Sequence, residues 1–131
     1  MKNYLIILAF VLAFAACSKN SPKPQSGSIV GTWELRLFTT GWTMPKNYSA
    51  GNGNKYIFKA DGSYTEYAEN KVESQGKYTL TPTSDDNGTK SGKITLTNPD
   101  YTDVYTIKTD TFTVGTSLAD GPSWQYVRIK N

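Results

Sequence analysis

Between Ile29 and Asn131, no stretch of ten or more residues sets its apolar side chains at helical spacing. That is the tightest constraint on the fold, because a helix in a small domain must bury a stripe recurring every three to four residues. The segment instead holds short runs of Val, Ile, Thr, Tyr, Phe and Trp, in which apolar and polar positions alternate. Eight runs read as strands: Gly31–Thr39, Lys55–Lys59, Ser63–Ala68, Val72–Thr81, Gly92–Thr97, Asp103–Lys108, Thr111–Val114 and Ser123–Lys130.

The punctuation between the runs fits that reading. Asp61-Gly62 predicts a hairpin with Gly62 at positive φ, a register that sets Phe58 opposite Tyr64. Asp85 to Gly88 reads as a polar loop, Asn98-Pro99-Asp100 and Thr109-Asp110 as turns, and Asp120-Gly121-Pro122 as a break before the last strand. Thr40 to Asn54 is a longer gap, and loops of that length are often functional. It reads either as a plug for one barrel end or as a ligand portal.

Alternation defines an inward set. Trp33, Leu35 and Leu37 share one face of the first strand, with Glu34 and Arg36 on the other. Tyr56 with Phe58, Tyr78 with Leu80, Ile94 with Leu96, Tyr105 with Ile107, Phe112 with Val114 and Tyr126 with Arg128 continue it. The expectation is an all-β domain: a small eight-stranded antiparallel up-and-down barrel. Barrels of eight strands are filled by side chains or hold one small ligand. Trp42, Tyr48, Tyr56, Phe58, Tyr64, Tyr78, Tyr105, Phe112 and Tyr126 are the candidate ligand contacts. Buried tyrosines keep a hydroxyl that needs a partner, which suits an amphipathic ligand better than a hydrocarbon. Most of these residues would equally serve as plain core.

The chain before the domain has a different character. Residues 1–16 read as a signal peptide: Lys2, then an uncharged run of thirteen residues from Tyr4 to Ala16, too short to span a bilayer. Phe14-Ala15-Ala16-Cys17 resembles the lipobox of bacterial lipoproteins, departing from it at Phe14, where Leu is commoner. The resemblance implies cleavage before Cys17 and acylation of that residue, a membrane anchor that would consume the only thiol. Residues 17–28 then form the lipidated Cys and a tether, with no apolar side chain from Ser18 to Ser28, two prolines and four serines. As a flexible coil it would average about 18 Å end to end. Ser18-Lys19-Asn20 lacks the acids of a surface-export signal, so the expected address is the outer membrane, facing the periplasm, with the cell surface as the alternative.

Residue counts thin out the chemistry. With no histidine, a Ser-His-Asp triad or His-ligated zinc cannot be built from this chain alone, and a lone cysteine excludes an internal disulfide. A net charge of +3 without a basic cluster points away from nucleic acid. Asp85-Asp86-Asn87-Gly88 lacks calcium-loop spacing. Most aspartates fall in turns. Glu66 shares parity with Tyr64 and faces either the interior or a solvated barrel mouth. No metal, no cofactor and no enzymatic activity are expected, and the domain is expected to be a monomer.

Gly31-Thr32-Trp33 resembles the Gly-x-Trp element of the lipocalin and calycin barrels. In that family an Arg from the last strand lies across the indole, and Arg128 occupies such a place. Gly31–Leu35, Tyr56–Tyr64 and Gly76–Leu80 are together similar to lipocalin-like lipoproteins of Bacteroidetes-type bacteria, over residues 29–131. The resemblance implies a structural Trp33–Arg128 pair and a cell-envelope lipoprotein that binds a small hydrophobic or amphipathic ligand. The alternative is a filled barrel that contacts another envelope protein or a glycan, with Trp42 and Trp124 as contacts.

Overall fold

The computed structural model describes residues 27–115 and 121–130. The signal segment, Cys17, most of the tether and Asp120 lie outside the described residues. Nine strands follow one another: β1 (Gly31–Thr39), β2 (Lys46–Asn47), β3 (Lys55–Phe58), β4 (Ser63–Ala68), β5 (Lys71–Asp86), β6 (Thr89–Leu96), β7 (Tyr101–Lys108), β8 (Thr111–Gly115) and β9 (Ser123–Ile129). From β3 to β9 each strand pairs antiparallel with the next, and β1 pairs with both β3 and β9. Eight strands therefore close into an up-and-down barrel, which fits a lipocalin-like fold and leaves none of these eight as a free edge. The ninth, β2, pairs with Leu37 and Phe38 on the flank that β3 occupies beside the first half of β1.

Turn chemistry sets the registers. Lys59 N–H donates to the Ser63 carbonyl at 2.9 Å, Gly62 has φ 78°, and Phe58 faces Tyr64, as Asp61-Gly62 predicts. The polar stretch after Thr81 differs from its expected loop. The β5–β6 ladder continues to Asp86↔Thr89 across a two-residue turn in which Asn87 and Gly88 both have positive φ, 47° and 75°. Asn-Gly is the strongest short hairpin signal, and here it outweighs the acids beside it. Pro82, which cannot donate to a ladder, sits at a register irregularity before Ser84.

A second irregularity corrects the inward face of β1. Leu35 pairs with Tyr126, but Leu37 pairs with Gln125 and Phe38 with Trp124. One extra residue, at Arg36, reverses parity, so Phe38 and not Leu37 joins the interior side, its ring 5.3 Å from the Trp124 indole.

One barrel end is sealed. It gathers the start of β1, the 59–62, 87–88 and 109–110 turns and the end of β9. Trp33 is fully buried there and donates from Nε1 to the Ile29 carbonyl at 2.6 Å. Arg128 Cζ lies 4.2 Å from the centroid of the Trp33 ring. Its Nη1 and Nη2 donate to the Val30 and Ser28 carbonyls at 2.8 and 2.6 Å, and its Nε to Asp110 at 3.1 Å. Ser28, expected in the solvated tether, is thus tied to the barrel, and buried Ile29 plugs its base. Above this plug Phe112 packs on Trp33 at 5.6 Å and Phe58 on Phe112 at 5.8 Å.

Candidate functional site

The opposite end carries the Glu69-Asn70 turn, the 97–100 turn and the segment joining β1 to β3. Between it and the floor of Phe58 and Phe112 lies a cavity of about 290 Å³. Tyr56, Tyr64 and Tyr126 wall it with Ile94, Leu96 and Val114. Glu66, Ser74, Pro99, Tyr101 and Trp124 line it toward the mouth. A smaller crevice of about 130 Å³ adjoins it, sharing Tyr56, Glu66, Trp124 and Tyr126 and bounded by Lys55 and Asn54.

Each lining residue has a local reason for its position. Tyr64 and Glu66 alternate on β4, and Ser74 sits opposite Glu66 on β5. A register shift just beyond Glu66 leaves Glu73 without a partner there. Ser74 Oγ donates to Glu66 Oε2 at 2.8 Å, and the Tyr64 hydroxyl donates to the Thr97 carbonyl at 3.0 Å. Gly76 allows the close approach of the Thr97 turn, because a Cβ there would lie 2.3 Å from the Thr97 carbonyl oxygen. Phe112 and Tyr126 face one another across β8 and β9 with rings 5.8 Å apart, and Tyr56 meets Tyr126 edge-on at 5.3 Å.

The electrostatics follow from this packing. Burial pushes the Tyr56 phenol far above its ordinary range, and Tyr126 and the Glu66 carboxylate add to the shift. Burial raises Tyr126 as well, with Glu66 the next cause. Tyr101 is raised by burial, by its 2.8 Å hydrogen bond to Asp103 and by the charges of Asp103 and Glu66. These hydroxyls remain protonated donors across the physiological range. The site thus offers aromatic faces, phenolic donors and one carboxylate. Among the described residues, no group of three or more acids or cysteines could hold a metal ion.

Of the candidates read from sequence, Tyr56, Phe58, Tyr64, Phe112 and Tyr126 line the cavity together. Tyr78, Tyr105, Tyr48 and Trp42 do not. Tyr78 packs edge-on against Phe58 at 5.1 Å and donates to the Lys59 carbonyl near the sealed end. Tyr105 is buried in the core, and Tyr48 packs partly buried against that core. Trp42 is 85% exposed, so the 40–54 segment does not bring its indole into the barrel. Parity with Tyr64 already offers Glu66 as an inward acid, and it lines the cavity; Ser74, Tyr101 and Trp124 are not among the sequence candidates for the interior, and Trp124 is offered there as an outer contact instead. Parity with Tyr126 and Arg128 would have placed Trp124 inside. Tyr101 was missed because β7 starts at Tyr101, directly after the turn.

Comparison with models of known protein families, with curated proteins and with solved structures found no match.

Proposed function

We propose that this chain is a lipid-anchored cell-envelope protein whose barrel binds one small amphipathic molecule and performs no chemistry on it. The observation that carries this reading is the cavity: about 290 Å³, walled by aromatic rings, sealed at one end and lined with polar groups at the other. Ligand pockets occupy roughly 300–1,000 Å³ with mostly apolar walls and a few placed polar groups, so this one suits a ligand near the lower limit of size. The anchor rests on Cys17 and its preceding apolar run, with the outer membrane, periplasmic side, as the address. Gly27 and Ser28 join the barrel at its sealed end, so a tether from Cys17 would enter the domain at the end opposite the mouth. That arrangement favours a ligand arriving from the aqueous side.

Trp124 lines the cavity and reports on its occupancy. Intrinsic fluorescence, titrated with alcohols, carboxylates and amines whose apolar parts range from a phenyl ring to a decyl chain, is expected to show saturable changes, strongest for the smaller members. A flat response across the whole panel would overturn the reading. It would leave the second one, a protein that contacts another envelope protein or a glycan, which the exposure of Trp42 and Met44, at 85% and 90%, favours.

A further inference from the structure

Among the described residues, the only acid that lines the cavity is Glu66, and no Lys or Arg lines it. On this basis we propose that the ligand is a small organic cation, an ammonium group on an apolar or aromatic body, with its nitrogen held between Glu66 and the rings of Tyr56, Trp124 and Tyr126. The proposal rests on the barrel being a ligand-binding module and specifies the sign of the ligand's charge.

Three observations support it. Glu66 accepts a short hydrogen bond from Ser74 Oγ at 2.8 Å and has the Tyr56 phenol beside it as a second donor, and among the described residues no cation forms an ion pair with it. A carboxylate has about four acceptor positions, so about half of its capacity is left for a donor in the cavity. The rings of Tyr56, Trp124 and Tyr126 line the same partly desolvated space, where attraction between a cation and an aromatic face is stronger than at an exposed surface. A second carboxylate, Asp103, stands behind Tyr101, accepting its hydroxyl proton at 2.8 Å, and adds negative potential on the same side of the mouth. The adjoining crevice, which Glu66 also lines, carries Lys55, whose Nζ lies over the Tyr67 ring, 5.0 Å from its centroid. A fatty acid or other anion would bring a second negative charge beside Glu66, with no cation among the described residues lining the cavity to neutralise it.

The test uses the full chain carrying Cys17→Ser, which prevents acylation, and three probes with one phenyl body: phenethylammonium, 2-phenylethanol and 3-phenylpropionate. Affinities are read by fluorescence and calorimetry. Phenethylammonium is expected to bind about tenfold or more tightly than the alcohol, with the propionate weakest. Glu66→Gln is expected to lower ammonium affinity about tenfold while changing that of the alcohol less than about twofold. Propionate binding as tightly as the ammonium, or an undiminished preference for the ammonium over the alcohol in Glu66→Gln, would overturn the proposal. The ranking in the parent protein decides the question even if the variant fails to fold. Binding of alcohol and propionate without preference for the ammonium removes the charge inference alone, whereas silence from all probes, the wider panel included, removes the binding module with it.

Discussion

Arg128 shows how much one side chain can organise in a barrel of this size. Its guanidinium covers Trp33, takes up the carbonyls of Ser28 and Val30 and reaches Asp110 on the neighbouring turn, while its own side chain is only 5% exposed. The planar fork is what allows stacking and two carbonyl contacts at once, and a lysine ammonium could not reproduce both. Burial of the stem contributes as well, so the loss is not of charge alone. Arg128→Ala is therefore expected to reduce the free energy of unfolding by about 1–3 kcal/mol in urea titrations. A loss under about 0.5 kcal/mol, the scale of an ordinary surface change, would show that the pair is a contact without consequence.

At the scale of an element, the segment from Thr40 to Asn54 is a strap rather than a portal lined by Trp42. Its far half folds over the outer face of β1, where Asn54 accepts from the Leu35 amide at 2.9 Å and Asn52 Nδ2 donates to the Leu35 carbonyl at 2.9 Å. Glu34 lies beneath, outward by parity yet only 5% exposed, paired with Arg36 and accepting from the Gly51 amide at 2.9 Å. Burial acts to raise the Glu34 carboxyl. The hydrogen bonds from Arg36 and the Gly51 amide and the Arg36 charge outweigh it, and the net shift is downward from 4.5. A carboxyl lowered in the folded state adds stability that is complete above its unfolded value and is lost as pH falls through the folded one. Thermal unfolding between neutral pH and about pH 3 is thus expected to show wild type more stable than Glu34→Gln at neutrality, with the gap closing below 4.5. A gap that persists unchanged into acid would mean that the carboxylate is not what holds the strap.

For the whole molecule, the polarity of the barrel and the position of its N-terminal link belong together. The sealed end holds Gly27 to Ile29, and the mouth with Glu66 and Trp124 lies at the other end. On the proposed anchoring, acyl chains on Cys17 attach the domain through the end opposite its mouth, and two or more chains give stable attachment where one gives only marginal binding. Cys17→Ser is expected to move the protein from the membrane fraction to the soluble one on cell fractionation. Retention in the membrane would show that something other than acylation anchors the chain.

Alternation at period two, without helical spacing, was enough to determine an all-β domain, the count of eight barrel strands and most of the inward rings, because the pleat projects successive side chains to opposite faces whatever the chain around them does. Alternation puts Trp33 and Arg128 on the inward face, but their pairing is implied only by the resemblance of Gly31-Thr32-Trp33 to the Gly-x-Trp barrels. Three things depended on the closed barrel. Register shifts at Arg36 and beyond Glu66 set which of Leu37 and Phe38 turns inward and how β5 leaves Glu66, since one extra residue inverts parity and its local signal is weak. The strap over Glu34 arises from backbone groups meeting across distant parts of the chain. The cavity itself, with Glu66 among aromatic rings, is what remains unfilled when eight strands of these side chains close on one another, a volume that no single strand contains.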